Sequence, residues 1–546
     1  MVNVVTFGKE VLHRLLPAKG VWNALLNGDQ FWREKISSAK GGKKILMATS
    51  LGGYDNGTLL ESILGIALTL RGAEVHMLLC DQALPACQMS KISKIEPGLM
   101  AQGGTKSICG ACQRNGSVMY KDLGLPVHYY SQNTTLAERS EAARVVKELE
   151  FCDISGFEFE GLKVGEHAMA GALRYFSRGD IEGEEFADGV VRKYLEAALI
   201  TVFAMRNLLR REKYDVACFH HGIYIPQGIV GEVCRQEGVH VVNSNPAYKN
   251  QTFIFSHNDT YHHTMVTEDT AVWESLYWPI SREEETLRYL KSRWAGTDDW
   301  IWFHESPEED VDKIGKELGI DFSKPTLALL TSVMWDAQLH YVSNAFPSML
   351  DWVMKTIKYF AGRSDLQLVI RIHPAEVRGM IPSRQRIAEE IEREFPQLPT
   401  NVFVVRPENK VSTYALVQQC KATIIYNTKT GIEIASMGLP VIVAGEAWIR
   451  NKGFSVDASN QSEYFKILDD AQNLDELDSA SLEMARKYAY HFFFRRMIPL
   501  PFIKSGEKFE FSLELNSISQ LAEGGSKGLD CVCNGILNKT PFIYDA

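Results

Sequence analysis

Short apolar, β-branched runs recur along the chain, each followed by a polar or glycine-rich turn and then by a stretch with apolar positions at helical spacing. Lys44–Ala48, Glu74–Leu79, Gly124–Tyr129, Tyr214–Phe219 and Val239–Asn243 form a first set of predicted strands. Pro325–Thr331, Asp365–Ile372, Asn401–Val405, Ala422–Tyr426 and Val441–Ala444 form a second. Runs with so few charges belong to parallel strands covered on both faces. Predicted helices lie between them: Leu59–Arg71, stopped by Gly72, Ile225–Glu237, and Tyr341–Phe360 with Leu350, Trp352, Val353 and Ile357 on its apolar face. The alternation predicts an α/β protein of two doubly wound, Rossmann-like domains. The pattern divides the chain into a helical segment over 1–43, a first domain over 44–265 with a cysteine-rich insertion, and a helical bridge over 266–322. A second domain over 323–480 and a crossing helix with a tail over 481–546 follow. Tryptophans 273, 278, 294, 300 and 302 mark the bridge, and from Ser505 the pattern weakens into an expected partly extended tail.

Length agrees with two cores, since a single one stops growing near ~250–300 residues and the chain has 546. A formal charge of −10 argues against nucleic-acid binding by phosphate neutralisation. Glu10, Arg14, Lys19, Asp29, Arg33 and Glu34 interrupt the apolar positions of the first forty residues, so neither a signal peptide nor a membrane span is expected there. The expectation is a cytoplasmic protein without a transmembrane segment, for which peripheral membrane association stays open.

Candidate chemistry concentrates in two stretches, Asp365–Glu376 and Lys421–Ala444. Ligands of open parallel sheets bind at the carboxyl ends of the strands, and His373 follows such a strand, with Pro374 stiffening the turn and Glu376 close behind. An imidazole there can donate to a nucleotide phosphate or to a departing oxygen, or cap a loop carbonyl. In the second stretch a strand, the polar turn Asn427–Thr430 and a short helix offer the hydroxyls of Thr428 and Thr430 and the amide of Gly431 to a phosphate, or to ordinary helix capping. Cys80, Cys87, Cys109 and Cys112 are spaced C-x6-C-x21-C-x2-C, a set that can hold structural zinc or an iron–sulfur cluster, or remain four reduced thiols. Lys249, Arg450 and Lys452 flank the expected cleft.

Arg371–Glu376 (R-I-H-P-A-E) together with Tyr426–Ile442 (Y-N-T-K-T-G-I-E-I-A-S-M-G-L-P-V-I) resembles the C-terminal half of capsule-polysaccharide-synthesis-type glycosyltransferases of the GT-B fold, which include Kdo transferases and, more distantly, H-P-motif sialyltransferases. The resemblance is reasonable over 325–455 and loose over 44–265. It implies sugar transfer from a CMP- or UDP-linked donor to a surface glycan or glycolipid, without a catalytic metal. His373 would then contact the donor phosphate. Arg371, Glu376, Thr428, Thr430, Gly431 and Glu433 would line the donor site, Glu433 as a ribose- or donor-contacting carboxylate or as a first-turn acid facing the helix dipole. An inverting transfer needs a base from the other domain. Asp55, in the loop T-S-L-G-G-Y-D-N-G-T, is the preferred candidate, with His221 and His220 as alternatives. The D/E-D-G signature of sialyltransferases is absent, and a retaining enzyme would need no such base. A nucleotide-sugar 2-epimerase and a non-catalytic scaffold of polysaccharide assembly are the competing readings.

Overall fold

The structure, a computed structural model, describes residues 20–295, 299, 307–337, 339, 341–506 and 510–545. The part of the expected helical segment before residue 20, and Trp300 and Trp302, lie outside them. Between 20 and 43 the chain forms two short helices, Asn23–Leu26 and Gln30–Ser38, the second capped by the Asp29 carboxylate, which accepts from Trp32 N.

Among the described residues, thirteen strands build the two main sheets. In chain order they are β1 (Lys44–Ser50), β2 (Glu74–Leu79), β3 (Val127–Tyr129), β4 (Val216–His220), β5 (His240–Pro246), β6 (Thr252–His257), β7 (Thr326–Leu330), β8 (Gln367–Arg371), β9 (Val402–Val405), β10 (Ala422–Ile425), β11 (Val441–Val443), β12 (Val456–Asp457) and β13 (Ile498–Pro499). The first sheet runs β13-β6-β5-β4-β1-β2-β3 and the second β12-β11-β10-β7-β8-β9. All pairs of the second sheet are parallel, whereas β6 and β13 add an antiparallel edge to the first. Both orders reverse at the first strand of the unit, the doubly wound arrangement expected from the alternating pattern. Complete burial of β4, β7, β8 and β10 explains why they read as unbroken apolar runs.

Three local differences have local causes. The first long helix spans Asp55–Leu70, so Asp55 to Thr58 form its opening turn and not the end of a loop; a carboxylate there faces exposed amides. The helix expected from Tyr341 begins at Met349, after Ser348, whose hydroxyl accepts from Asp351 N at 3.1 Å. The tail is not merely extended. Residues 503–505 and 511–513 form a hairpin, and Lys527–Asn538 is a helix capped by Ser526. Leu529, Val532, Cys533 and Ile536 of that helix have the i, i+3, i+4, i+7 spacing and pack in the core beneath the first sheet.

The chain crosses back between the two sheets once. Ser479–Tyr490 packs against the second unit, winds through a π-helical turn over His491–Arg496, and enters the first sheet as β13, paired Ile498 to Phe253. After β7 the chain reaches the other way: Ala337 and Leu339 join Ala170, Ile223 and Tyr224 in a small apolar cluster.

Candidate functional site

β7 and β10 are neighbours whose connections leave in opposite directions, and this reversal opens a crevice at their carboxyl ends. A cavity of about 380 Å³ occupies it. Thr331 and Ser332 enter from β7, His373 from the end of β8, and Asn427, Thr428 and Thr430 from the turn after β10. The groups are tied to one another. Ser332 Oγ donates to Asn427 Oδ1 at 2.6 Å, and the His373 amide donates to Thr331 Oγ1 at 3.1 Å. Ala375 N donates to His373 Nδ1 at 3.0 Å, which makes Nδ1 the acceptor and puts the ring proton on Nε2. Thr428 Oγ1 and Thr430 Oγ1 lie 3.2 Å apart. An imidazole N–H and two hydroxyls from separate strand ends thus line one cavity.

Buried charge supports the wall. Glu433 is fully buried behind the cavity and binds the Arg293 guanidinium at 3.1 Å, the Lys429 ammonium at 2.8 Å, and the Tyr414 hydroxyl. Burial pushes the Glu433 carboxyl up, but Arg293 and Lys429 overcome this and hold it at about 2. Burial, reinforced by Arg293, lowers Lys429 to about 8. Arg293, Lys429 and Tyr414 line the cavity, so the carboxylate predicted to touch the donor instead fixes three groups that do line it.

Arg371 acts on the neighbouring wall. It is 2% exposed, and its guanidinium donates to the carbonyls of Arg406, Asn409 and Val411 at 2.8, 3.0 and 3.3 Å. These bonds hold the segment that leads into Ser412, Thr413 and Tyr414. Gly431 is a packing requirement, because a Cβ there would come within 2.6 Å of Ile425 and 2.8 Å of Ile449. Its amide donates within the turn, to Thr428 O at 3.4 Å. Glu376 points elsewhere: it is 2% exposed, does not line the cavity, and accepts from Ile387 N at 2.9 Å, capping the helix Ile387–Glu394.

None of the three base candidates, Asp55, His221 and His220, the last at the end of β4, lines the cavity either. Asp55 is exposed at the start of its helix, where partial burial raises its pKa. His221 follows β4 in the left-handed backbone region (φ 64°), its ring 5.4 Å from that of His262, which does line the cavity. Burial lowers His221 well below the usual histidine range.

The cysteine reading is corrected. Among the described residues no three His, Cys, Asp or Glu side chains are placed to hold one ion. Cys109 Sγ instead donates to Thr105 Oγ1 at 3.2 Å, Cys112 Sγ accepts from Gly53 N at 3.0 Å, and burial pushes Cys80 up to about 12 and raises Cys87 further. Arg450 and Lys452, read from the sequence as flanking the cleft, are buried and donate to backbone carbonyls. The sequence reading missed Arg293, Tyr414 and Lys429. Lys429 carried a signal, standing four residues before Glu433; Arg293 carried none.

Residues 311–490 match the family model described as Capsule polysaccharide biosynthesis protein. This segment is similar to that family. The family resemblance of Arg371–Glu376 and Tyr426–Ile442 is thereby borne out, and both stretches fall inside the match. No curated protein matches the chain. Among solved structures, the beta Kdo 2,4 transferase KpsC of Thermosulfurimonas dismutans aligns over 50% of this chain and 80% of its own at 10% identity, with a TM-score of 0.32. The UDP-GlcNAc 2-epimerase of Methanocaldococcus jannaschii, in complex with UDP-GlcNAc and UDP, aligns over 76% and 99% at 10% identity and TM-score 0.26. The spinosyn rhamnosyltransferase SpnG aligns over 82% and 95% at 10% identity and TM-score 0.25. Scores of this size carry nothing on chemistry. Among the described residues no helix is long and apolar enough to cross a membrane.

Proposed function

We propose that the protein is a glycosyltransferase of capsule-type glycan synthesis, holding a nucleotide-activated sugar in the cavity at the ends of β7, β8 and β10. The carrying observation is that His373, Thr428 and Thr430 line the same cavity. In this reading the Nε2–H of His373 and the two hydroxyls bind the donor phosphate, and Lys429 adds partial positive charge near neutral pH. The acceptor hydroxyl attacks the anomeric carbon, the bond from that carbon to the phosphate oxygen breaks, and the nucleotide leaves with the electron pair. Donors already in place receive the developing charge without reorganising. The acceptor proton needs a base on the side of the first sheet if transfer inverts. Asp336 suits that role, since it lines the cavity and accepts from Tyr224 OH at 2.8 Å.

The test is nucleotide release from CMP-, UDP- and GDP-sugars in the presence of glycan acceptors. One donor class is expected to react, His373→Ala to lose on the order of 10²–10³-fold in kcat, and chelation by EDTA to change nothing. No turnover with any donor, or full activity of His373→Ala, would overturn the reading.

A further inference from the structure

Across from the donor cavity, at the carboxyl ends of β1 and β4, a row of aromatic and polar side chains leads away from Asp336. Tyr224 joins Asp336 by its hydroxyl; His221 lies 5.0 Å from the Tyr224 ring, His220 5.5 Å from His221, and Tyr54 4.6 Å from His220. Arg174 lies over this row, its guanidinium 5.1 Å from the Tyr224 ring centroid and donating to Gln88 O at 2.5 Å. No carboxylate pairs with Arg174 among the described residues. Lys91 and Lys94 stand close by: burial lowers the pKa of Lys91, and the charges of Arg174 and Lys94 lower it further.

Polar atoms here also go unused. His221 Nδ1, Gln88 Oε1 and both side-chain polar atoms of Asn243 are buried without a hydrogen-bond partner among the described residues, and Asn243 is only 3% exposed. A buried polar group without a partner carries the full cost of its desolvation. Two crowded cations and several orphaned polar atoms in one place are a cost that a bound anionic, hydroxyl-bearing molecule would relieve.

We propose that Arg174 and Lys91, with Gln88, His221 and Asn243, form a recognition site for an anionic group, a carboxylate or a phosphate, carried by the glycan acceptor. The proposal rests on the glycosyl-transfer reading, which supplies the need for an acceptor on this side of the cleft. It adds that the acceptor is acidic near the hydroxyl that reacts. Arg174 supplies the forked donor that matches either oxyanion, and Lys91 the compact charge beside it.

The experiment is an isothermal titration of the full chain with three probes: glucuronate, glucose 6-phosphate and glucose. The two acids are expected to bind and glucose not, and the stronger of the two shows whether the site reads carboxylate or phosphate. Arg174→Gln and Lys91→Gln should each weaken the acid at least tenfold, and Arg174→Lys should restore part of it. His373→Ala should leave acid binding unchanged. Should Arg174→Gln not fold, Lys91→Gln, at a half-buried position, carries the test alone. Equal binding of glucose, no binding of either acid, or acid binding that survives in the folded variants would overturn the proposal. Loss of acid binding in His373→Ala would do so too, since it would move the anion to the donor cavity. Failure of the glycosyl-transfer reading shows separately, as absence of nucleotide-sugar turnover.

Discussion

Two buried carboxylates, one in the short helix after β8 and one in the helix after β10, ionise at opposite extremes. Glu433, held at about 2 by Arg293 and Lys429, has a folded pKa below its ordinary 4.5. Its contribution to stability is therefore present above about pH 4.5 and is lost as pH falls through about 2. Glu433→Gln leaves buried Lys429 without its carboxylate and Arg293 with Asp299 alone, and should cost about 3–5 kcal/mol by denaturant unfolding at pH 7; an unchanged midpoint would refute this role. Glu376 is the reverse case. Burial raises it from 4.5 to about 7, so the folded state binds the extra proton and stability falls as pH rises from about 4.5 to 7. Glu376→Gln keeps the oxygen that caps Ile387 and removes the titration. It should stabilise the protein by about 1–3 kcal/mol at pH 8 and by almost nothing at pH 4. A gain that is the same at both pH values would contradict the assignment. At this scale the sequence was legible where chemistry follows a strand end, as for His373 and Thr430. It was not legible for Glu433, whose type suggests ligand contact but whose partner Arg293 comes from a segment that no local pattern links to it, nor for the carbonyls of Arg406 and Asn409 that Arg371 holds while lining the cavity.

Elements carry the site by fixing what the strand ends present. Arg371 ties β8 to the segment 406–411, and with it the wall that bears Tyr414. Arg371→Met removes the donors and strands buried carbonyls, so it should cost about 2–4 kcal/mol and raise amide exchange over 406–414. Protection that stays at the level of the native chain would sink this. The terminal helix depends on close approach, because a Cβ at Gly528 would lie 1.9 Å from Pro499 O. Gly528→Ala should cost at least about 1–3 kcal/mol, with faster exchange confined to 498–499 and 527–538. The buried strands were easy to read because both faces of each sheet are covered. The terminal helix had the same legibility in Leu529, Val532, Cys533 and Ile536, but a polar stretch before it hid the pattern.

At the scale of the whole molecule, two doubly wound sheets meet through their carboxyl edges. Tyr224 joins Asp336, His263 Nε2 bonds Leu339 O at 3.0 Å, and Gln385 Oε1 accepts from Gly179 N at 2.9 Å. The alternation of strands and helices is enough to predict two such sheets, since each repeat folds locally. It could not place Asp55 and His221 relative to His373, which depends on how the units dock, and the cysteine spacing suggested a metal cluster that the helix over Lys106–Lys121 does not assemble.

The central claim, a nucleotide-sugar site built on His373, Thr428 and Thr430, is tested most directly by equilibrium titration of the wild type, His373→Ala and a Thr428→Val, Thr430→Val double variant with CMP- and UDP-sugars. The account predicts that one nucleotide class binds the wild type and that each variant binds it at least tenfold more weakly while still unfolding cooperatively. Equal affinity in all three folded proteins, or no binding of any nucleotide sugar, would contradict it.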